Sequence, residues 1–472
     1  MNAPAPWVET KAGPLVAESL ARFALDLMPE RLPGAVRARA RHLLLDAAGI
    51  ALASTGFDFA HRALSALAGL AGAGEVPVIG LPARLPMRDA ALLNGILVHG
   101  LDYDDTHITG VVHATASLFP TVLAVAAQRH LSGAAALTAY VAGVEAAARI
   151  GAVAKGGFHQ IGFHPTGLVG AFATTLAAGK LFGLTEEQLV NAQGITLSAA
   201  AGSLEFLEDG AWTKRFHPGW AANVGITAAA MAQQGFVGAR RAYEGRFGLY
   251  RSYLQERFDP ADLALATAGL GEAWEVLQVA VKPYPACHFV HACIDAALAL
   301  RAAHGIEPEQ IERVEALVPA EGVKIVCEPV ANKKHPKNSY DAQFSIPYIV
   351  AAAFHRGRFT LAELTEETLA DPGISGLAER VDYAVDPNSG FPKYYSGELV
   401  VTLRDGRRLA HREHMNRGCG DRPLSESEIV AKFEANAGRA VAPERARAIR
   451  EAVLAIEETA DMMRLASTLG GR

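Results

Sequence analysis

Apolar residues recur at three-residue and four-residue steps through the first part of the chain, from about residue 15 to residue 267. This period is typical of helices that bury one face, and the many alanines and glycines allow such helices to approach closely. We therefore predict a helical bundle, with helices at about residues 16–27, 40–48, 90–101, 117–130, 133–155, 167–181, 186–201 and 219–234.

The pattern changes after Pro260. The segment 282–285 reads Lys-Pro-Tyr-Pro, and its two prolines predict a non-helical connector. Beyond it we predict helices at 286–304, 340–354 and 361–369, a strand at 311–318, and a β-hairpin formed by 397–403 and 407–411 around Asp405-Gly406. Two more helices follow, at 425–435 and 443–457, and the period alone does not tell which domain they join.

Length supports this division, because a chain of 472 residues exceeds what one hydrophobic core usually supports. We predict a mainly α fold with a large all-helical domain over residues 1–269 and a smaller α+β domain over residues 270–413.

Composition excludes several classes of function. The net charge of −6 provides no basic surface for nucleic acid. The four cysteines lack zinc-type pair spacing and are too few to cross-link the chain, which fits a reducing cytoplasm. Residues 1–9 lack the features of a signal peptide. The apolar run 134–154 carries Glu145 and Arg149, so we expect a buried helix there and no membrane span.

Acidic and imidazole side chains are concentrated between His99 and His113. The acids are Asp102, Asp104 and Asp105, and His107 adds a further imidazole. Such groups transfer protons or hold a metal, although acids in loops also serve as helix caps. The stretch is therefore the first candidate site.

Three further polar clusters each follow or precede an apolar helical segment. They contain His164 in the glycine-rich segment 157–167, Thr213, Lys214, Arg215 and His217 in 212–219, and Lys282, Cys287, His288 and His291 in 282–291. Cations and helix N-termini suit a substrate with several carboxylates. The alternatives are surface charges for Lys214 and Arg215, a small buried thiol for Cys287, and a metal-binding face formed by His288, His291 and Asp295.

The chain has no glycine-rich nucleotide loop and no G-x-S-x-G nucleophile turn. What remains is acid/base chemistry without a cofactor, or a metal held by residues 102–107.

The order of four motifs resembles the MmgE/PrpD family over nearly the whole chain. They are Leu-Asp-Tyr-Asp-Asp-Thr at 101–106, Gly-Phe-His-Pro-Thr-Gly at 162–167, Thr-Lys-Arg-Phe-His at 213–217 and Lys-Pro-Tyr-Pro-Ala-Cys at 282–287. The family includes 2-methylcitrate dehydratases, cis-aconitate decarboxylases and iminodisuccinate epimerases. The resemblance implies chemistry beside a carboxylate, with no cofactor and no metal.

The resemblance also implies an architecture. Residues 414–472 would complete the all-helical domain, residues 270–413 would form a lid, and the site would lie between the two in a homodimer. The family's site positions fall on Asp102, Thr106, His113, His164, Lys214 and Lys282, with His217 and Tyr348 in addition.

Two departures from the family pattern affect the predicted reaction. This chain has His113-Ala114-Thr115 where many relatives have His-Pro-Ser, and Cys287 where the decarboxylase has histidine. Decarboxylation is therefore the less favoured reaction.

Our hypothesis is a dehydratase-like lyase acting on a small di- or tricarboxylate. Lys214 and Lys282 would hold substrate carboxylates and stabilise the charge that develops when a neighbouring proton is removed. His113 or His164 would be the base and the other the acid, with Asp102 orienting one imidazole. The remaining substrate contacts are predicted at Thr106, Thr213, His217, Cys287 and Tyr348. An epimerase, a decarboxylase and a catalytically silent binding protein are the alternatives.

Overall fold

The computed structural model describes residues 13–471. Residues 1–9, for which we expect no signal peptide, lie outside them. The prediction of a mainly α fold is confirmed. The helices of the first part are Val16–Asp26, Gly34–Ser54, Asp58–Leu70, Met87–Val98, Ala114–Gln128, Gly133–Val153, Gly157–Gln160, Pro165–Phe182, Glu186–Thr196, Thr213–Gln233 and Leu249–Leu254.

All eight helices predicted here are present, with shifted ends. Thr213–Gln233 begins six residues before the predicted start at 219, because Pro218 is accommodated inside the helix. Asp58–Leu70 was not predicted, and of its residues only Phe59 and Ala60 are buried.

Helix Pro165–Phe182 lies at the centre of this part. It packs against Thr213–Gln233, Gly133–Val153 and Ala114–Gln128. Gly133–Val153 is long and apolar enough to cross a membrane, but 94% of its apolar window is buried. Within residues 13–471, the bent pair Gly34–Ser54 and Asp58–Leu70 passes the same test only when counted as one span. The prediction that 134–154 is a buried helix is confirmed.

The second part combines short helices with a four-stranded sheet. Its helices are His291–His304, Ala320–Val326, Val330–Lys334, Ser339–Ala342, Ile346–Arg356, Glu366–Leu369 and Pro372–Ala378. The strands lie in the order Val381–Val385, Ile311–Val318, Gly397–Leu403 and Arg408–Glu413, with only the first pair parallel. The predicted strand and hairpin are confirmed.

Three results in this part differ from the predictions. The helix predicted at 361–369 is divided at Thr365 into the 3₁₀ turn Leu361–Leu364 and the helix Glu366–Leu369. The helix predicted at 340–354 is interrupted at residues 343–345, because Ser345 accepts the N–H of Tyr348 at 3.0 Å and caps a new helix. Edge strand Val381–Val385 was not predicted, since only Val381 among its residues is buried and no alternation is visible.

The last three helices are Glu426–Ala437, Pro443–Leu454 and Met462–Leu469. The first packs against Gly34–Ser54 and the last against Ala114–Gln128, so the end of the chain contacts the helical bundle. The domain boundaries at 269/270 and 413/414 stay predictions.

Candidate active site

Seven of the predicted residues meet at one cavity between the helical bundle and the sheet-containing part. It has a volume of about 50 Å³. The predicted residues lining it are Asp102, Thr106, His113, His164, Lys214, Lys282 and Cys287.

The loop after helix Met87–Val98 carries the acidic part of the site. Strand pairing of Thr106–His107 with Val279–Ala280 brings this loop beside the connector that carries Lys282. Arg215 Nε donates to the carbonyl of Gly100 at 2.7 Å, and Lys432 Nζ donates to the carbonyl of Tyr103 at 2.8 Å. Hydrogen bonds therefore hold the loop on both sides of Asp102. The φ angle of Asp102 itself, +48°, lies in the left-handed region.

Both predicted lysines are paired with Asp102. Lys214 Nζ donates to Asp102 Oδ1 at 2.7 Å, and Lys282 Nζ donates to the same oxygen at 3.1 Å and to the Asp102 carbonyl at 2.8 Å. Burial alone would raise the pKa of Asp102, but the two ammonium groups hold it well below its ordinary value. Oδ2 has no hydrogen-bond partner among the described residues.

This arrangement corrects the expected role of Asp102. Within residues 13–471, its hydrogen-bond partners are the lysines and not an imidazole. The carboxylate beside the imidazoles is Asp104, which lies 2.8 Å from His99 Nδ1 and 3.9 Å from His113 Nδ1. Burial would raise the pKa of Asp104, but His99 and His113 lower it to about 2.

Three imidazoles stand together beside these charges. The ring centroid of His99 lies 4.8 Å from that of His113 and 5.6 Å from that of His164. His164 Nδ1 contacts His217 Nδ1 at 3.0 Å, and His217, a predicted substrate contact, does not line the cavity. Burial lowers the pKa values of His113 and His164 well below the ordinary value, which favours neutral rings.

The contacts of His113 determine which nitrogen carries the proton. Its Nδ1 lies 2.7 Å from the carbonyl oxygen of Asp105, which can only accept, so Nδ1 donates. In a neutral ring, Nε2 then keeps a free electron pair. His113 is therefore oriented as a proton acceptor.

Asp105 is buried behind this contact. Its carboxylate accepts from Thr115 Oγ1 at 2.5 Å, and Thr115 in turn contacts the hydroxyl of Tyr140. Burial and the charge of Asp104 raise the pKa of Asp105 to about 7. The side chain supports the loop, and only its carbonyl reaches His113.

The structure does not bring Thr213 and Tyr348 to the cavity. Thr213 is exposed at the first position of its helix. Tyr348 is buried, but its hydroxyl donates to the carbonyl of Glu363. Their predicted substrate contacts gain no support from this placement.

Sequence reasoning missed several residues around the cavity. His99 belonged to the acidic stretch but was not selected, and His159 and His288 were also passed over as substrate contacts. Phe344 packs under Lys214 Nζ, 4.9 Å from its ring centroid, and Tyr395 lines the wall. Aromatic residues such as these carry no sequence signal that separates them from core residues.

The imidazoles could also hold a metal ion. His99, His113 and His164 each offer a nitrogen, and these atoms lie within 4.8 Å of one another. His99, Asp102 and Asp104 form a second such group. Neutral imidazole is the form that binds metals, so a test of function must include a chelator.

Comparison with known proteins identifies the class. The MmgE/PrpD N-terminal domain matches residues 18–261 and the MmgE/PrpD C-terminal domain matches residues 284–458. The chain belongs to the MmgE/PrpD family.

Characterised relatives are distant but span the chain. Cis-aconitate decarboxylase of Mus musculus is 26% identical over 471 residues, covering 97% of this chain and 93% of that protein. The Homo sapiens protein of the same name is 27% identical, covering 97% and 95%. 2-Methylcitrate dehydratase of Cupriavidus necator is 23% identical over 444 residues, covering 88% of each chain.

Proposed function

We propose that the protein is a cofactor-independent lyase that removes a proton beside a carboxylate of a small di- or tricarboxylate, with dehydration as the overall reaction. The observation that carries this proposal is the placement of Lys214 and Lys282 around Asp102 at one cavity with His113 and His164.

Charge supports an anionic substrate. Lys214, Lys282 and Asp102 together carry one net positive charge where little water screens it, and the neighbouring carboxylate of Asp104 is paired with His99. That charge would stabilise a bound substrate carboxylate. The stabilisation increases when proton removal turns the carboxylate into an enediolate, because more negative charge then lies on its oxygens.

His113 is the better candidate for the base. Its Nδ1 is committed to the Asp105 carbonyl, and its Nε2 is free to accept a proton. His164, whose Nδ1 contacts His217 Nδ1, is the candidate acid: in its protonated form it gives a proton to the leaving hydroxide, which departs as water, and the proton that His113 removed from the substrate replaces it. This division of roles is part of the proposal.

Decarboxylation is the second candidate, because several relatives bear that name. Loss of carbon dioxide leaves an electron pair that the same lysines would stabilise. Epimerisation needs only return of the proton to the opposite face. A binding protein that has lost its reaction would show none of these outcomes.

A substrate panel tests the proposal. The chelator-treated protein is incubated in deuterated water with 2-hydroxy and unsaturated di- and tricarboxylates, and deuterium incorporation, alkene absorbance and carbon dioxide are followed. Alkene formation with exchange supports a dehydratase, and carbon dioxide supports a decarboxylase. Activity that disappears on chelation would show a metal enzyme, and no reaction with any substrate would overturn the lyase proposal.

The homodimer implied by the family and the cytoplasmic location indicated by the cysteine content are also proposals. Light scattering on the purified protein would test the dimer, and the mass of one chain, 49.8 kDa, is the reference.

A further inference from the structure

His288 lines the cavity from the sheet-containing part of the protein. It begins the short 3₁₀ turn His288–Val290 directly after Cys287, and its side chain is buried, with 4% exposure. The ring stacks on Tyr395 with a centroid separation of 4.8 Å and an angle of 2° between the planes. The imidazole is therefore fixed in orientation.

A short chain of hydrogen bonds decides which nitrogen of His288 carries a proton. The backbone N–H of Tyr395 donates to Asn416 Oδ1 at 3.0 Å, which fixes the orientation of the Asn416 amide. Asn416 Nδ2 then donates to His288 Nε2 at 2.8 Å. Nε2 is an acceptor, so a neutral ring carries its hydrogen on Nδ1.

The surroundings keep the ring neutral. Burial lowers the pKa of His288 well below its ordinary value, and the nearby His291 and Lys282 act in the same direction. Nδ1 is therefore a hydrogen-bond donor. It has no partner among the described residues, and a buried donor without an acceptor is costly.

We propose that His288 Nδ1–H donates to a carboxylate oxygen of the bound substrate, and that His288 is a specificity-determining residue for polycarboxylates. This inference rests on the proposed function. A carboxylate supplies the acceptor that the ring lacks, and the contact comes from the side of the cavity formed by the second part of the chain. Lys214 comes from the helical bundle, so the substrate would be held by both parts.

His291 offers a matched control. It is buried on the following turn, its ring centroid lies 4.7 Å from that of His288, and its Nδ1 also lacks a partner among the described residues. Its Nε2 contacts the carbonyl of Ala286 at 3.1 Å. It does not belong to the cavity lining.

The test is calorimetric binding of propane-1,2,3-tricarboxylate, an unreactive tricarboxylate. His288→Phe keeps the stacked ring but has no donor, and we expect its affinity to fall about tenfold to a hundredfold, the range of a hydrogen bond to a charged group. His288→Gln retains an N–H, and we expect a smaller loss. His291→Phe should bind within about twofold of the wild type. Melting temperatures show which variants are folded.

Two smaller ligands can distinguish a direct contact between His288 and the substrate from a purely structural role of His288. Glutarate lacks the central carboxylate and methylsuccinate lacks a terminal one. If His288 holds one carboxylate, the loss caused by His288→Phe should disappear for one of these ligands. An equal loss for all three ligands, or wild-type affinity in His288→Phe, would overturn the inference. Failure of the wild type both to bind and to react would instead overturn the proposed function.

Discussion

Asp102 combines an unusual backbone conformation with two buried ammonium partners. Aspartate and asparagine tolerate positive φ better than most residues, so a polar residue at this position is compatible with the turn. Its carboxylate keeps Lys214 and Lys282 at one point in the cavity. In the proposed function, Asp102 is therefore a structural anion, and the two lysines are the groups that would contact substrate.

Asp102→Asn tests this role. The amide keeps the size of the side chain and suits positive φ, but it cannot neutralise the two lysines. Breaking a buried ion pair in this way costs about 3–5 kcal/mol. We expect the free energy of unfolding in urea at pH 7 to fall by that amount. Asp58→Asn, at the exposed pair with Arg62, should change it by less than about 1 kcal/mol. A fully stable Asp102→Asn would contradict the structural role.

The pH dependence of turnover tests His113. A base must be unprotonated, and burial lowers the pKa of His113, so the active form persists to lower pH. We therefore expect the acid limb of kcat/KM to lie well below pH 6.5, the ordinary value for histidine. His113→Gln should lose about a hundredfold to ten-thousandfold in rate. An acid limb at or above the ordinary value would contradict this assignment.

The sequence predicts which residues come together at the cavity. It predicts less well which hydrogen bonds each of them makes there. Lys214 and Lys282 stood out as cations beside helix ends and prolines, and both reach the cavity. The hydrogen-bond partner of Asp102 depends on which of several charged side chains the fold brings next to its carboxylate. The spacing of these residues along the sequence does not determine which one it is. The donor state of His288 depends on Asn416, 128 residues away.

Helices Met87–Val98 and Thr213–Gln233 determine the distance between the acidic loop and Lys214. They cross at Gly95 and Gly219, where a Cβ added to Gly95 would lie 2.6 Å from the Gly219 Cα. The obstructing atoms belong to the backbone, so no side-chain rotation can relieve the overlap. Glycine at this crossing is therefore required for the lysine to reach Asp102.

Gly95→Ala should separate these two helices. We expect a loss of about 1–3 kcal/mol in unfolding free energy, the usual cost of overpacking, together with reduced turnover. Gly69→Ala is the control, because a Cβ there meets no atom within 4 Å and alanine favours helix. Chemical denaturation and activity of both variants provide the comparison. Wild-type stability and activity in Gly95→Ala would show that the crossing tolerates a methyl group.

The elements themselves were largely predictable because their apolar periods are long. The long buried helices of the bundle, strand Ile311–Val318 and the hairpin all follow from pattern. Helix Asp58–Leu70 and strand Val381–Val385 did not, since each buries few residues and their positions depend on tertiary contacts. Pattern likewise could not show that Glu426–Ala437 packs against Gly34–Ser54.

The cavity at the candidate site is small in relation to the whole molecule. The cavity of about 50 Å³ is far smaller than typical ligand pockets of about 300–1,000 Å³. A neighbouring cavity of about 750 Å³ shares part of its lining, including Leu204 and Leu207 from the first part and Phe289 and Ile325 from the second. We therefore expect binding of the proposed tricarboxylate substrate to displace this shared wall and to change the contact between the two parts.

In the proposed function, buried lysines stabilise a carbanion formed beside a carboxylate, and deuterium incorporation into substrate measures that step most directly. We predict that the wild type incorporates solvent deuterium at one carbon beside a carboxylate. Lys282→Met should slow exchange about a hundredfold to a thousandfold, the usual cost of removing a group that stabilises developing charge. Lys155→Met, at an exposed ion pair with Asp262, should leave the rate unchanged. Unchanged exchange in Lys282→Met, or no exchange by the wild type with any carboxylate tested, would contradict the account.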